Sequence, residues 1–97
     1  MRKISKQAAR AFLNGNYFQE NNTLVHSNGD MFLFGNHIVR KNNNGIEVNF
    51  CGFDTNTTKE RINALCSICG SDDRFYHKDY VLMYKGKSVT ITEWIAI

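Results

Sequence analysis

Between Thr23 and Cys51 apolar residues recur with a period of two, and turn-forming residues cut the run into short pieces. This pattern limits the possible folds most severely, because alternation at that period serves the two faces of an extended strand and cannot serve a helix. Ser27-Asn28-Gly29-Asp30 holds the Asn-Gly dipeptide of a type I′ hairpin turn, which pairs residues 23–27 with 31–34. Gly35-Asn36 suits a II′ turn into a strand over 37–41. The loop Asn42-Asn43-Asn44-Gly45 leads to a further strand over 46–51, with Ile46, Val48 and Phe50 on one face. The expected product is an antiparallel meander. In the register those two tight turns set, Leu24, Leu33 and Ile38 line one face while Val25, Phe32 and Val39 line the other.

Two apolar faces pose a question of cover. Short helices on one side cannot seal both surfaces, so one face is expected to meet another chain or to pack on the C-terminal strands. A homodimer is the simplest outcome of the first alternative, with Phe32, Ile38 and Val39 as interface candidates.

The remainder of the chain supplies the helices. Ser5 is the expected N-cap of a first helix with Ile4, Ala8, Ala11 and Phe12 at helical spacing, ended by Asn14-Gly15. Its face of Lys6, Gln7 and Arg10 reads as solvated. Thr57-Thr58-Lys59-Glu60 has the form of a capping box, with Thr57 and Glu60 as its structural pair, opening a second helix with Ile62, Leu65 and Cys66 on its apolar stripe. Beyond Gly70-Ser71-Asp72-Asp73, Lys85-Gly86 closes a hairpin of 80–84 with 87–92, placing Tyr80, Leu82 and Tyr84 on a face with Val89 and Ile91. Glu93-Trp94-Ile95-Ala96-Ile97 is apolar enough to dock. The fold class is therefore α+β: antiparallel meander and hairpins with two short helices, in a single small domain over residues 1–97. With 97 residues, 42% of them hydrophobic and no linker-like stretch, one small core is the natural expectation.

No residue pattern defines a catalytic centre. His26, His37 and His77 lie outside any nucleophile motif. Asp54, Glu60, Asp72 and Asp73 are better explained by a cap and a turn than as an acid–base set. Cys66 and Cys69 have zinc-ligand spacing that Cys51 and His77 could complete, yet only one such pair exists and Cys66 already serves a helix stripe, so no metal is expected. No cofactor motif is present. Three cysteines without a secretory signal fit reduced thiols. No apolar run reaches the roughly 20 residues needed to span a bilayer, and Met1-Arg2-Lys3 opens no signal peptide, so the cytoplasm is expected and a membrane partner is not.

A net charge of +3 is mildly basic and does not select a partner. Arg40, Lys41, Lys59, Arg61, Lys85 and Lys87 are the candidate contact residues. Beside Tyr76, Tyr80 and Tyr84 they could hold a single strand of RNA or DNA, although no RNP-type sequence accompanies them.

The segments Phe32-Leu33-Phe34-Gly35-Asn36-His37-Ile38-Val39-Arg40, Gly45-Ile46-Glu47-Val48 and Gly52 through Leu65 resemble a family of short tailed-bacteriophage proteins with a GNxIA…GWxTxTTKERLNxL-like pattern. Residues 4–13 and Asn22-Thr23 are similar to the opening of that pattern. Phe34 stands where the family tends to have His and Phe53 where it has Trp, and the last third departs from it. The resemblance brings no activity with it. It implies a phage accessory protein made in the infected bacterial cell. For a domain of this size the expected mode is binding rather than catalysis, with a host or anti-phage defence protein as target and nucleic acid as the alternative.

Overall fold

The computed structural model describes residues 2–43 and 45–97; Asn44 of the expected Asn42–Gly45 loop and Met1 of the basic N-terminal tripeptide lie outside the described residues. The α+β class is borne out. Helix α1 (Lys3–Asn14) leads into β1 (Phe18–Glu20), β2 (Thr23–His26), β3 (Asp30–Leu33), β4 (Asn36–Asn42) and β5 (Gly45–Val48). Helix α2 (Asn56–Ile68) follows, then β6 (Phe75–Lys78), β7 (Val81–Tyr84), β8 (Lys87–Ser88) and β9 (Ile95–Ala96). A six-stranded sheet has the order β1-β2-β3-β4-β5-β9, a three-stranded sheet the order β6-β7-β8, and every pairing is antiparallel.

The meander is present, but its register differs by one residue from the expectation. The first hairpin closes with three residues, 27–29, so that His26 faces Asp30, Val25 faces Met31 and Leu24 faces Phe32. Gly29 makes this possible: at φ +96° it takes the conformation that follows a turn in three-residue hairpins, and its N–H donates to the His26 carbonyl at 3.2 Å. The second turn is centred on Phe34-Gly35, not Gly35-Asn36, and pairs Leu33 with Asn36. A bulge in β4 then sets Met31 opposite Val39 and Phe32 opposite His37, leaving Ile38 as the extra residue. The faces are corrected accordingly. Thr23, Val25, Met31, Leu33, Ile38, Val39 and Val48 are buried, whereas Leu24, His26, Phe32 and His37 turn away from them.

The buried face packs on the helices. Ser5, Ala8, Ala9 and Phe12 of α1 recur at helical spacing, and Ile62, Leu65 and Cys66 of α2 meet them and the sheet in one cluster. Ile38 and Val39 belong to this core and are not interface residues. The small sheet joins the same cluster through Phe75, Leu82 and Tyr84, with Phe75 stacked on Tyr84 at 4.2 Å and tilted against Phe50 at 5.1 Å. Lys85-Gly86 closes β7 onto β8 as expected, but Tyr80 lies in a second two-residue turn and is fully exposed. The C-terminal segment docks: Ile95 pairs with Val48, and the Ile97 N–H donates to the Ile46 carbonyl.

Candidate functional site

Strand parity places most of the site. Gln19, Leu24, Phe32, Arg40, Glu47 and Ala96 are cross-strand neighbours or alternates on the face opposite the core, and Trp94 enters that face one step before β9. Rings run across it in a row. Tyr17 lies 6.3 Å from His26, His26 5.6 Å from Phe32, Phe32 stacks on His37 at 4.7 Å, and His37 meets the edge of Trp94 at 5.0 Å. The Arg40 guanidinium closes the row, 4.0 Å from the Trp94 ring centre. Tyr17 is 60% exposed, and His26 is exposed as well.

Charge on this face is matched internally. The Asp30 carboxylate accepts from His37 Nε2 at 2.9 Å, and Glu47 accepts from Arg40 Nε at 2.9 Å. Sheet pairing fixes the second contact, because Arg40 and Glu47 are direct partners across β4 and β5. The outer face is therefore ring-rich and close to neutral. Period-two patterning marks its strand residues, but it shows neither the bulge at Ile38 nor the arrival of Trp94.

The Thr57–Asn63 run, which carries much of the phage-family resemblance, is used for assembly. The helix cap is Thr55, whose Oγ1 accepts from the Thr58 N–H at 3.3 Å, so Thr57 is not the cap. Glu60 does not reach back along its own helix either. Its carboxylate accepts from the backbone N–H of Arg2 at 2.9 Å and from Arg2 Nε at 2.7 Å. Burial pushes the Glu60 carboxyl up, but the Arg2 hydrogen bonds and the charges of Arg2 and Arg61 outweigh it and hold it below the ordinary carboxylate value. Arg61 is 4% exposed, and its guanidinium donates to Ser5 Oγ at 2.6 Å and Thr23 Oγ1 at 3.0 Å. Burial, reinforced by Arg2 and opposed by Glu60, lowers its pKa. Arg61 thus joins α1, α2 and β2, and it is not a contact residue. Ser5 correspondingly sits inside α1 as an acceptor and not at its start, which is capped by Arg2. Asn63 completes the set, accepting from the Phe75 N–H at 2.8 Å and donating to its carbonyl at 2.9 Å.

The other expected contact residues lie apart. Arg40 is on the ring face and Lys41 is exposed one residue further along β4. Lys59 donates to His77 Nδ1 at 3.0 Å, which leaves Nε2 carrying the proton given to Asp54 at 3.0 Å. Lys85 pairs with Asp73 at 3.7 Å beside the Tyr84 ring, and Lys87 is exposed on β8. Tyr84 is buried, Tyr76 is exposed on β6 and Tyr80 is at a turn tip, so the three do not form a platform. Of the cysteines, Cys66 is in the core with its thiol pushed up by burial to about 11, Cys69 is exposed at the end of α2, and Cys51 donates to the His37 carbonyl. Among the described residues, no three of the His, Cys, Asp and Glu side chains gather as a metal site.

Fold and surface together define a small α+β protein that seals one sheet face with its helices and leaves a row of rings on the other. The chain belongs to the Kyanoviridae Gp96 protein family, a phage protein family whose sequence model matches residues 1–96. No curated protein and no solved structure matches it. The family match supports the phage origin expected from the resemblance.

Proposed function

We propose that this protein is a non-enzymatic phage accessory protein that binds and modulates, by inhibition, a host or anti-phage defence protein, and that the outer face of the six-stranded sheet is its contact surface. The row Tyr17, His26, Phe32, His37 and Trp94 is the observation that carries this reading. Rigid rings on a strand framework offer large contact area at small conformational cost, which is the composition of energetically dominant interface positions. Action in the cytoplasm of the infected cell is consistent with the helices, since no described helix is long and apolar enough to cross a membrane.

A small RNA- or DNA-binding protein is the second reading, favoured by the same rings, which could stack bases. Charge favours a protein partner: on this face Arg40 is matched by the Glu47 carboxylate and His37 donates to Asp30, leaving little attraction for phosphate. Affinity capture from infected cells with and without nuclease tests the choice. Expected is a protein retained after nuclease treatment and lost with Phe32→Ala or Trp94→Ala. Retention on heparin with steep salt dependence, together with a shift of labelled single-stranded RNA, would overturn it.

A further inference from the structure

Phe34 occupies the first central position of the two-residue β3–β4 turn at φ +52°, followed by Gly35 at φ +79°. Such turns take Asn, Asp or Gly at that point, because a bulky side chain is strained there. The ring gains little burial in return, being 63% exposed. The neighbouring turn holds the backbone in place, with the Phe34 N–H donating to the Asn22 carbonyl at 2.8 Å. A strained residue that presents an exposed ring points to function, since strain of this kind collects at ligand clamps.

Phe34 forms one wall of a recess of about 280 Å³, and Phe53, 56% exposed, contributes to the same lining. Leu33, Ile38 and Phe50 form its base from the core, while Asn36 and Thr55 supply polar atoms. No lining side chain is ionisable. The volume falls just short of the roughly 300 Å³ at which small-molecule pockets begin, so it suits a single side chain. Phe34 also borders the groove beside Leu24, His26 and Phe32, so its ring stands between the recess and the ring-bearing face.

We infer that the recess between Phe34 and Phe53 receives one uncharged aromatic side chain of the protein partner, an assignment that rests on the binding function proposed above. The neutral lining excludes a charged side chain, and the ring walls favour a flat group over a branched one.

Titration of the isotopically labelled full chain with N-acetyl-tryptophanamide, followed by amide NMR, tests this directly. Saturable shifts at Phe34, Asn36, Phe53 and Thr55 are expected, with none from the corresponding lysine or glutamate amide. Phe34→Asn should keep or raise the thermal midpoint while weakening the probe at least about tenfold, as expected for a hot-spot ring. Phe53→Ala reads the same site should Phe34→Asn fold poorly. Absence of a saturable shift, or equal binding by both variants, overturns the assignment. Capture from infected cells separates the two proposals. If wild type and Phe34→Asn retain the same protein equally, the recess assignment falls and the binding function stands. If the probe binds but wild type captures no protein, the binding function falls and the assignment of a partner's side chain falls with it.

Discussion

The Glu60 carboxylate of α2 accepts from the backbone N–H of Arg2, the residue that caps α1, at 2.9 Å. A cap supplied from another helix ties the formation of α1 to its docking. Glu60 is ionised more readily in the folded state than in the unfolded chain. A lowered folded value contributes stability that is full above the unfolded pKa of about 4.3 and is lost as pH falls through the folded value. Glu60→Gln should flatten this part of the acid-side fall in stability and cost about 1 kcal/mol at neutral pH, the exposed Arg2 limiting the effect. Urea titrations at several pH values measure both.

Arg61 should be far more sensitive. Removing a buried guanidinium leaves Ser5, Thr23 and part of Glu60 without their donor, so Arg61→Met is expected to cost about 3 kcal/mol. Lysine keeps the charge without the fork that spans Ser5 and Thr23, and Arg61→Lys should remain about 2 kcal/mol below wild type. Chemical denaturation reports the difference.

Thr55→Ala removes the acceptor at the start of α2 and should cost about 1 kcal/mol, whereas Thr57→Ala should stay within about 0.5 kcal/mol of wild type. A reversed order in thermal melts would restore Thr57 as the cap.

Substitution separates the buried interface candidates, Ile38 and Val39, from the outward-facing Phe32. Ile38→Asp and Val39→Asp should abolish folding, because each carboxylate would enter the core. Phe32→Ala should leave a folded chain about 1–2 kcal/mol less stable, having lost its stacking on His37. Circular dichroism distinguishes them at once.

The three thiols should differ in reactivity. With its thiol pushed up to about 11 inside the core, Cys66 stays protonated and inaccessible at neutral pH, while Cys69 is exposed. Labelling of native protein should modify Cys69 first and Cys66 only on unfolding, as peptide mass mapping would show.

Element types were legible in the sequence because they follow from period. The meander and the apolar stripe of α2 come from alternation and helical spacing, the Lys85-Gly86 turn from its glycine, and the docked C-terminus from its apolar composition. Register was not legible. An Asn-Gly pair fits both a two-residue and a three-residue hairpin, and choosing between them reverses which side chains face the core. The bulge at Ile38 is equally invisible, since Ile38 and Val39 are buried side by side against the alternation. Long-range partners escaped for a different reason. Glu60 has a capping-box spacing within α2, but its actual donor is Arg2, and only the docking of α1 reveals it. The row of rings required Trp94 to arrive from a distant segment, so no local pattern around Phe32 could announce it.

Strands β1 to β5 follow one another in space as they do along the chain, whereas β9 reaches β5 from beyond α2 and the small sheet. Contacts between neighbouring strands close short loops, and those between distant segments must await a longer search. The ladder can therefore zip from one hairpin to the next before its last strand is captured. On that order Trp94 should join His37 and Arg40 last, completing the ring-bearing face as folding ends, and pulse-labelled hydrogen exchange should show the amides of β2–β4 protected before that of Ile97.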